Sequence, residues 1–77
     1  MTIHLKFFAG LRDAIPGRQS PYAAEFAEDA TVQDVLDRFE VPRDKPKILL
    51  VNGRHADLPQ VLRDGDTLSV FPPVAGG

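Results

Sequence analysis

The sequence contains no cysteine. That excludes disulfides, thiolate catalysis and cysteine-based zinc sites. Its two histidines, His4 and His55, fall short of the three or four converging ligands a metal site needs, so no metal is expected. Both are read as surface or structural side chains. No basic stripe runs along the chain, and the net charge of −2 is spread over mixed signs. The electrostatic footprint of nucleic-acid binding is therefore missing. The start, Met1-Thr2-Ile3-His4-Leu5-Lys6, is neither a signal peptide nor a membrane span, and a cytoplasmic location is expected. Gly10-Leu11-Arg12 lacks the glycine pattern of a phosphate loop. Neither a repeat nor a linker is visible.

What is present is one small domain of 77 residues. A chain near this size buries only ~60% of its unfolded surface, which leaves little room for a cleft with its own catalytic machinery. With 43% hydrophobic and 26% charged residues it reads as globular, not disordered.

Residues 2–8 alternate, with Ile3, Leu5 and Phe7 on one face and His4, Lys6 and Phe8 on the other, the mark of a half-buried strand. Residues 9–15 read as a short helical or turn segment closed by Pro16-Gly17. Residues 22–27 read as a second strand with Glu25 toward solvent. The clearest helix spans 31–39. Thr31 suits its N-cap, Asp34 three residues on makes a weaker form of the capping box, and Val32, Val35, Leu36 and Phe39 share one face. Pro42 is placed to stop it.

Ile48-Leu49-Leu50-Val51 reads as a third strand, and Asn52-Gly53 as a two-residue hairpin turn whose central positions both need positive φ. Arg54-His55-Ala56 then returns as a short strand. Residues 58–62 read as a connector with room for one helical turn. Asp64-Gly65-Asp66 is a tight turn, its carboxylates expected on local backbone N–H groups and not paired for catalysis. Residues 67–71 form the last strand, with Leu68 and Val70 inward. Glu28-Asp29 favours the positive end of the helix that follows. The arginines, at 12, 18, 38, 43, 54 and 63, are scattered.

This is an α+β order in which one helix covers one face of a small mixed sheet. The first and last strands are expected side by side and parallel at its centre, with the C-terminal end of the chain projecting beyond. That end reads Phe71-Pro72-Pro73-Val74-Ala75-Gly76-Gly77. Two prolines favour an extended exit, and two glycines leave the terminal carboxylate with no side chain nearby. Such a strip fits a narrow channel; the plain alternative is a frayed terminus.

The order, the length and these residues resemble the ubiquitin-like β-grasp proteins, and more closely the MoaD/ThiS family of sulfur carriers. The resemblance covers the whole chain. It rests on Phe8-Ala9-Gly10-Leu11-Arg12, Val51-Asn52-Gly53, Leu62-Arg63-Asp64-Gly65-Asp66 and the Phe-Pro-Pro-Val-Ala-Gly-Gly tail. The Phe-Pro-Pro form is most similar to the small subunit of molybdopterin synthase. The connection at 40–47 is short for such a carrier, and no second helix is expected there.

The resemblance implies a single domain over 1–77 with a flexible tail over 72–77, and a donor subunit, not an enzyme. An E1-like enzyme, using ATP and magnesium, would adenylate Gly77, with Gly76 beside it. A thiocarboxylate would follow, and its sulfur would pass to a pterin precursor in the synthase large subunit. The chain itself would bind no cofactor. Leu50 and Phe71 fall where ubiquitin-like proteins carry their apolar patch, and Phe8 extends it. With Pro72, Pro73, Val74 and Ala75 these residues are expected to contact partners, although Phe8 and Phe71 half-covered by loops would serve stability alone. Three alternatives stand beside this reading: a carrier for thiazole or tRNA thiolation, a protein modifier joined through Gly77 to lysines, and a binding module with an inert tail.

Overall fold

The computed structural model describes residues 1–42, 46 and 48–73. A five-stranded mixed sheet in the order β2-β1-β5-β3-β4 packs one face against a single helix. The strands are β1 (Thr2–Phe7), β2 (Tyr22–Glu25), β3 (Ile48–Val51), β4 (Arg54–His55) and β5 (Thr67–Phe71), and the helix is α1 (Val32–Arg38). β1 and β5 run parallel at the centre, with Leu5 opposite Leu68 and Phe7 opposite Val70. β2 is antiparallel to β1, and β3 is antiparallel to both β5 and β4.

The alternation seen in the sequence becomes the core. Ile3, Leu5, Phe7, Leu68 and Val70 are buried from the sheet, and Val32, Val35 and Leu36 from the helix. Each such side chain contributes about 1.5–3 kcal/mol relative to exposure. Phe39 lies half-buried at the centre of an aromatic group, edge-on to Phe7 at 5.9 Å and to Tyr22 at 6.2 Å between centroids. Ile15, Val41 and Leu62, from the connections, complete the interior.

Several boundaries differ from the sequence reading. β1 stops at Phe7, because Phe8 caps a 3-10 segment over Ala9–Ala14. β2 ends at Glu25, and Phe26 turns toward Phe39. Residues 58–62 form no helix. Leu58 and Pro59 make a single tight turn, Gln60 N donating to Asp57 O at 3.1 Å, and Val61 then bridges to Thr31 at the start of α1, where Gln60 O accepts from Val32 N at 3.0 Å and Leu58 O from Gln33 N at 2.9 Å. With Asp34 N donating to Thr31 Oγ1 at 3.2 Å, these contacts satisfy the amides that a helix N-terminus leaves free. This connector is therefore the partner of the helix's first turn.

Pro42 does not itself stop the helix. Glu40 adopts the left-handed conformation (φ 57) two residues earlier. Val41 N donates to Leu36 O and Glu40 N to Asp37 O, the paired bonds of a Schellman motif, and Val41 is buried with Leu36 in the core. Asn52 and Gly53 both take positive φ (53 and 82), as a hairpin turn of this type requires. Four positions of the 40–47 connection (43–45 and 47) lie outside the described residues.

Candidate functional face at the tail end of the sheet

The parallel central pair sets where the chain leaves the domain. β5 ends at Phe71, at the same edge of the sheet where β1 ends at Phe7, and the backbone exits through half-buried Pro72 and exposed Pro73. Val74, Ala75, Gly76 and Gly77 lie outside the described residues.

Beside this exit the sheet face turned away from α1 carries an apolar cluster. Phe8 N donates to Val70 O at 3.1 Å, which carries the β1–β5 pairing one residue further and sets Phe8 beside Phe71. The two rings stack nearly parallel, 5° apart, with centroids 4.2 Å apart. Both are half-buried, and neither packs into the core cluster. Phe71 is opposite Ile48, and Leu50 is opposite Ser69 on one side and His55 on the other. Three of the residues read from sequence (Phe8, Leu50 and Phe71) thus share one face. Ile48, 40% exposed, is a fourth that the sequence analysis did not assign to the site. The period of two along β3 was the available signal.

Lys6 faces the same way, opposite Ser69, so the cluster has cationic and imidazole groups at its border. His4 and His55 are three strand spacings apart, about 14 Å, too far to share a metal ion. Among the described residues no three His, Asp or Glu side chains form a cation site. The carboxylates of the 64–66 turn are engaged structurally. Asp64 Oδ1 accepts from Thr2 N at 2.7 Å, and Asp66 Oδ2 from Arg63 N at 2.8 Å. Among the described residues no helix is long and apolar enough to cross a membrane.

The sequence profile of the ThiS family matches residues 5–77. The chain belongs to the ThiS family. It is 42% identical to small archaeal modifier protein 3 of Haloferax volcanii, over the full length of both. Among solved structures it is similar to the Haloferax volcanii HVO 2177 protein, at 37% identity and a TM-score of 0.80, covering 100% of this chain and 87% of that one. It is also similar to a putative molybdopterin converting factor subunit 1 of Pyrococcus furiosus, at 27% identity and a TM-score of 0.71, covering 96% and 99% of the two chains. The β-grasp fold and the membership among small ubiquitin-like carriers and modifiers are thereby established. The ThiS-family match runs through both prolines and both terminal glycines.

Proposed function

We propose that this chain is a sulfur carrier acting in molybdopterin synthesis, with Gly77 as the working group. The observation that carries the reading is the stacked Phe8–Phe71 pair where the chain leaves β5 for a Pro-Pro and Gly-Gly strip. A docking face placed there lets a partner hold the domain and receive the strip in a narrow channel.

The chemistry follows from what a carboxylate lacks. It is a poor electrophile, so an E1-like enzyme with ATP and magnesium joins the Gly77 carboxylate to AMP and releases pyrophosphate. A persulfide sulfur on the activating system attacks the acyl carbon, and AMP leaves. A thiol or other reductant then cleaves the S–S bond, leaving a thiocarboxylate on Gly77. With no cysteine in the chain, this terminus is the place where it could carry sulfur. In the synthase large subunit, acid–base groups of that partner would transfer the sulfur to the pterin precursor. These steps belong to the cytoplasm.

A second reading has its own support, because the 42% identical relative bears the name of a protein modifier. There the activated Gly77 carbonyl is attacked by a lysine amine of a target, giving an isopeptide.

One experiment separates the two. The intact chain is incubated with an E1-like enzyme, ATP, magnesium and a sulfur source, and its mass is read. Replacement of one oxygen of Gly77 by sulfur supports carriage. Adducts on target lysines that vanish when Gly76 and Gly77 are deleted support the modifier. An unaltered C-terminus with a competent enzyme refutes both. Full activity with one residue added after Gly77 would equally sink the carrier reading.

A further inference from the structure

Two large hydrophobic side chains stand exposed among the described residues, Ile48 at 40% and Val61 at 52%. Ile48 belongs to the face beside the tail. Val61 lies elsewhere, in an open groove of about 610 Å³ between the β3–β4 hairpin and the 57–63 connector. The hairpin supplies Arg54 and His55 to this groove, and the connector supplies Gln60, Val61 and Arg63.

The charge in the groove is unevenly satisfied. Its one carboxylate, Asp66, is held by protein donors, accepting from Asn52 Nδ2 at 2.9 Å and from Arg63 N at 2.8 Å. The guanidinium groups of Arg54 and Arg63 have no hydrogen bond or ion pair among the described residues, where the one ion pair joins Arg18 to Asp13. Among the described residues, two planar cations without a protein partner therefore flank an exposed aliphatic side chain.

The walls are also fixed in advance. Leu58 O and Gln60 O accept from α1, and Leu62 N donates to Ala30 O at 2.8 Å, so Val61 is held outward by its neighbours. Across the groove, Asn52 Oδ1 accepts from Thr67 N at 2.9 Å and ties the hairpin to β5. A preformed groove has little ordering cost on binding.

We propose that this groove is a second docking site, and that its occupant is an acidic–aliphatic peptide segment of a partner protein. Carboxylates would pair with Arg54 and Arg63 in the forked geometry that guanidinium favours, and an aliphatic side chain would cover Val61. A nucleic-acid backbone fits less well, because the chain as a whole is acidic. The groove lies at the start of β5 and the tail at its end, about 13 Å apart along the strand, and His55 is the residue the groove shares with the border of the tail-side face. The site does not depend on what happens at Gly77.

The test is an amide chemical-shift titration of the full chain with a heptapeptide of alternating glutamate and leucine. Its glutamine–leucine counterpart and inorganic phosphate serve as comparisons. Saturable shifts are expected at 52–55 and 60–63, with binding weakened roughly tenfold or more for the neutral peptide and for the R54Q/R63Q variant. V61S should weaken the acidic peptide while leaving the amide spectrum otherwise folded. Equal binding of both peptides, shifts centred on Phe8, Leu50 and Phe71, or phosphate competing as well as the peptide would each overturn the proposal. So would the absence of any shift at millimolar peptide.

Discussion

Replacing Phe8 and Phe71 by alanine, singly and together, separates a docking role from a purely structural one. The rings lie 4.2 Å apart and nearly parallel, yet both are half-buried and outside the core cluster. A fully buried phenylalanine cut to alanine costs about 3–5 kcal/mol. Removing a half-covered ring from a strand face that leaves no closed cavity should cost about 1 kcal/mol. The stack adds a coupling of about 0.5–1.5 kcal/mol, so the double variant should lose less than the sum of the single losses. Urea unfolding of the four proteins gives these values from shifts in midpoint at constant slope. Under the docking reading the partner response is far larger. Adenylation of either folded single variant should need about 30-fold more carrier for half-maximal rate, the ~2 kcal/mol of an anchoring side chain. A coupling below about 0.3 kcal/mol would mean that the rings do not stack in solution, since uncoupled sites add within that range. Losses near the buried-core value with unchanged adenylation would refute docking and leave the rings as fold elements.

Three further outcomes test the scaffold, each by urea or thermal unfolding. Thr31→Ala removes one half of the capping box, the Oγ1 that accepts from Asp34 N, while the backbone N–H at position 31 still donates to Asp34 Oδ2, and should cost about 1 kcal/mol. Glu40→Gly should raise stability by up to about 1 kcal/mol, because a left-handed φ of 57 strains a side chain that glycine lacks; a clear loss would show that Glu40 contributes something besides the turn. Leu68→Ala, at a fully buried central position between β1 and β3, should cost about 2–5 kcal/mol and lower the melting temperature by more than any surface change.

The parts of the fold that were legible were those with a local period or a local turn chemistry. Ile3, Leu5 and Phe7 announce their face by alternation, the α1 positions by helical spacing, and Asn52-Gly53 by its need for positive φ. The connector at 58–62 was not legible, because its conformation is decided by amides at the start of α1, far along the chain. The helix stop was misread for a related reason: a proline is visible in sequence, whereas a glutamate in the left-handed conformation gives no compositional sign. At the candidate face, Phe8, Leu50 and Phe71 were readable from strand period and the family resemblance together. The stacking of two rings depends on the exact parallel register of β1 and β5, which the sequence leaves open. The groove around Val61 was invisible for the same cause, since its two walls meet through tertiary hydrogen bonds alone.

The parallel β1–β5 pair has a mechanical consequence. The chain enters β1 at one edge of the sheet and leaves β5 at the opposite edge. A pull between the N-terminus and the tail therefore loads the hydrogen bonds of the two central strands in shear, all together, instead of opening them one at a time as in a peeled hairpin. Forced unfolding is governed by the rate of crossing that barrier, not by equilibrium stability. The short β3–β4 hairpin does not lie on that line of force. A partner that grips the tail and draws it into a channel would thus strain the strongest direction of the molecule, so a domain with a small core can be handled by its end without being unravelled.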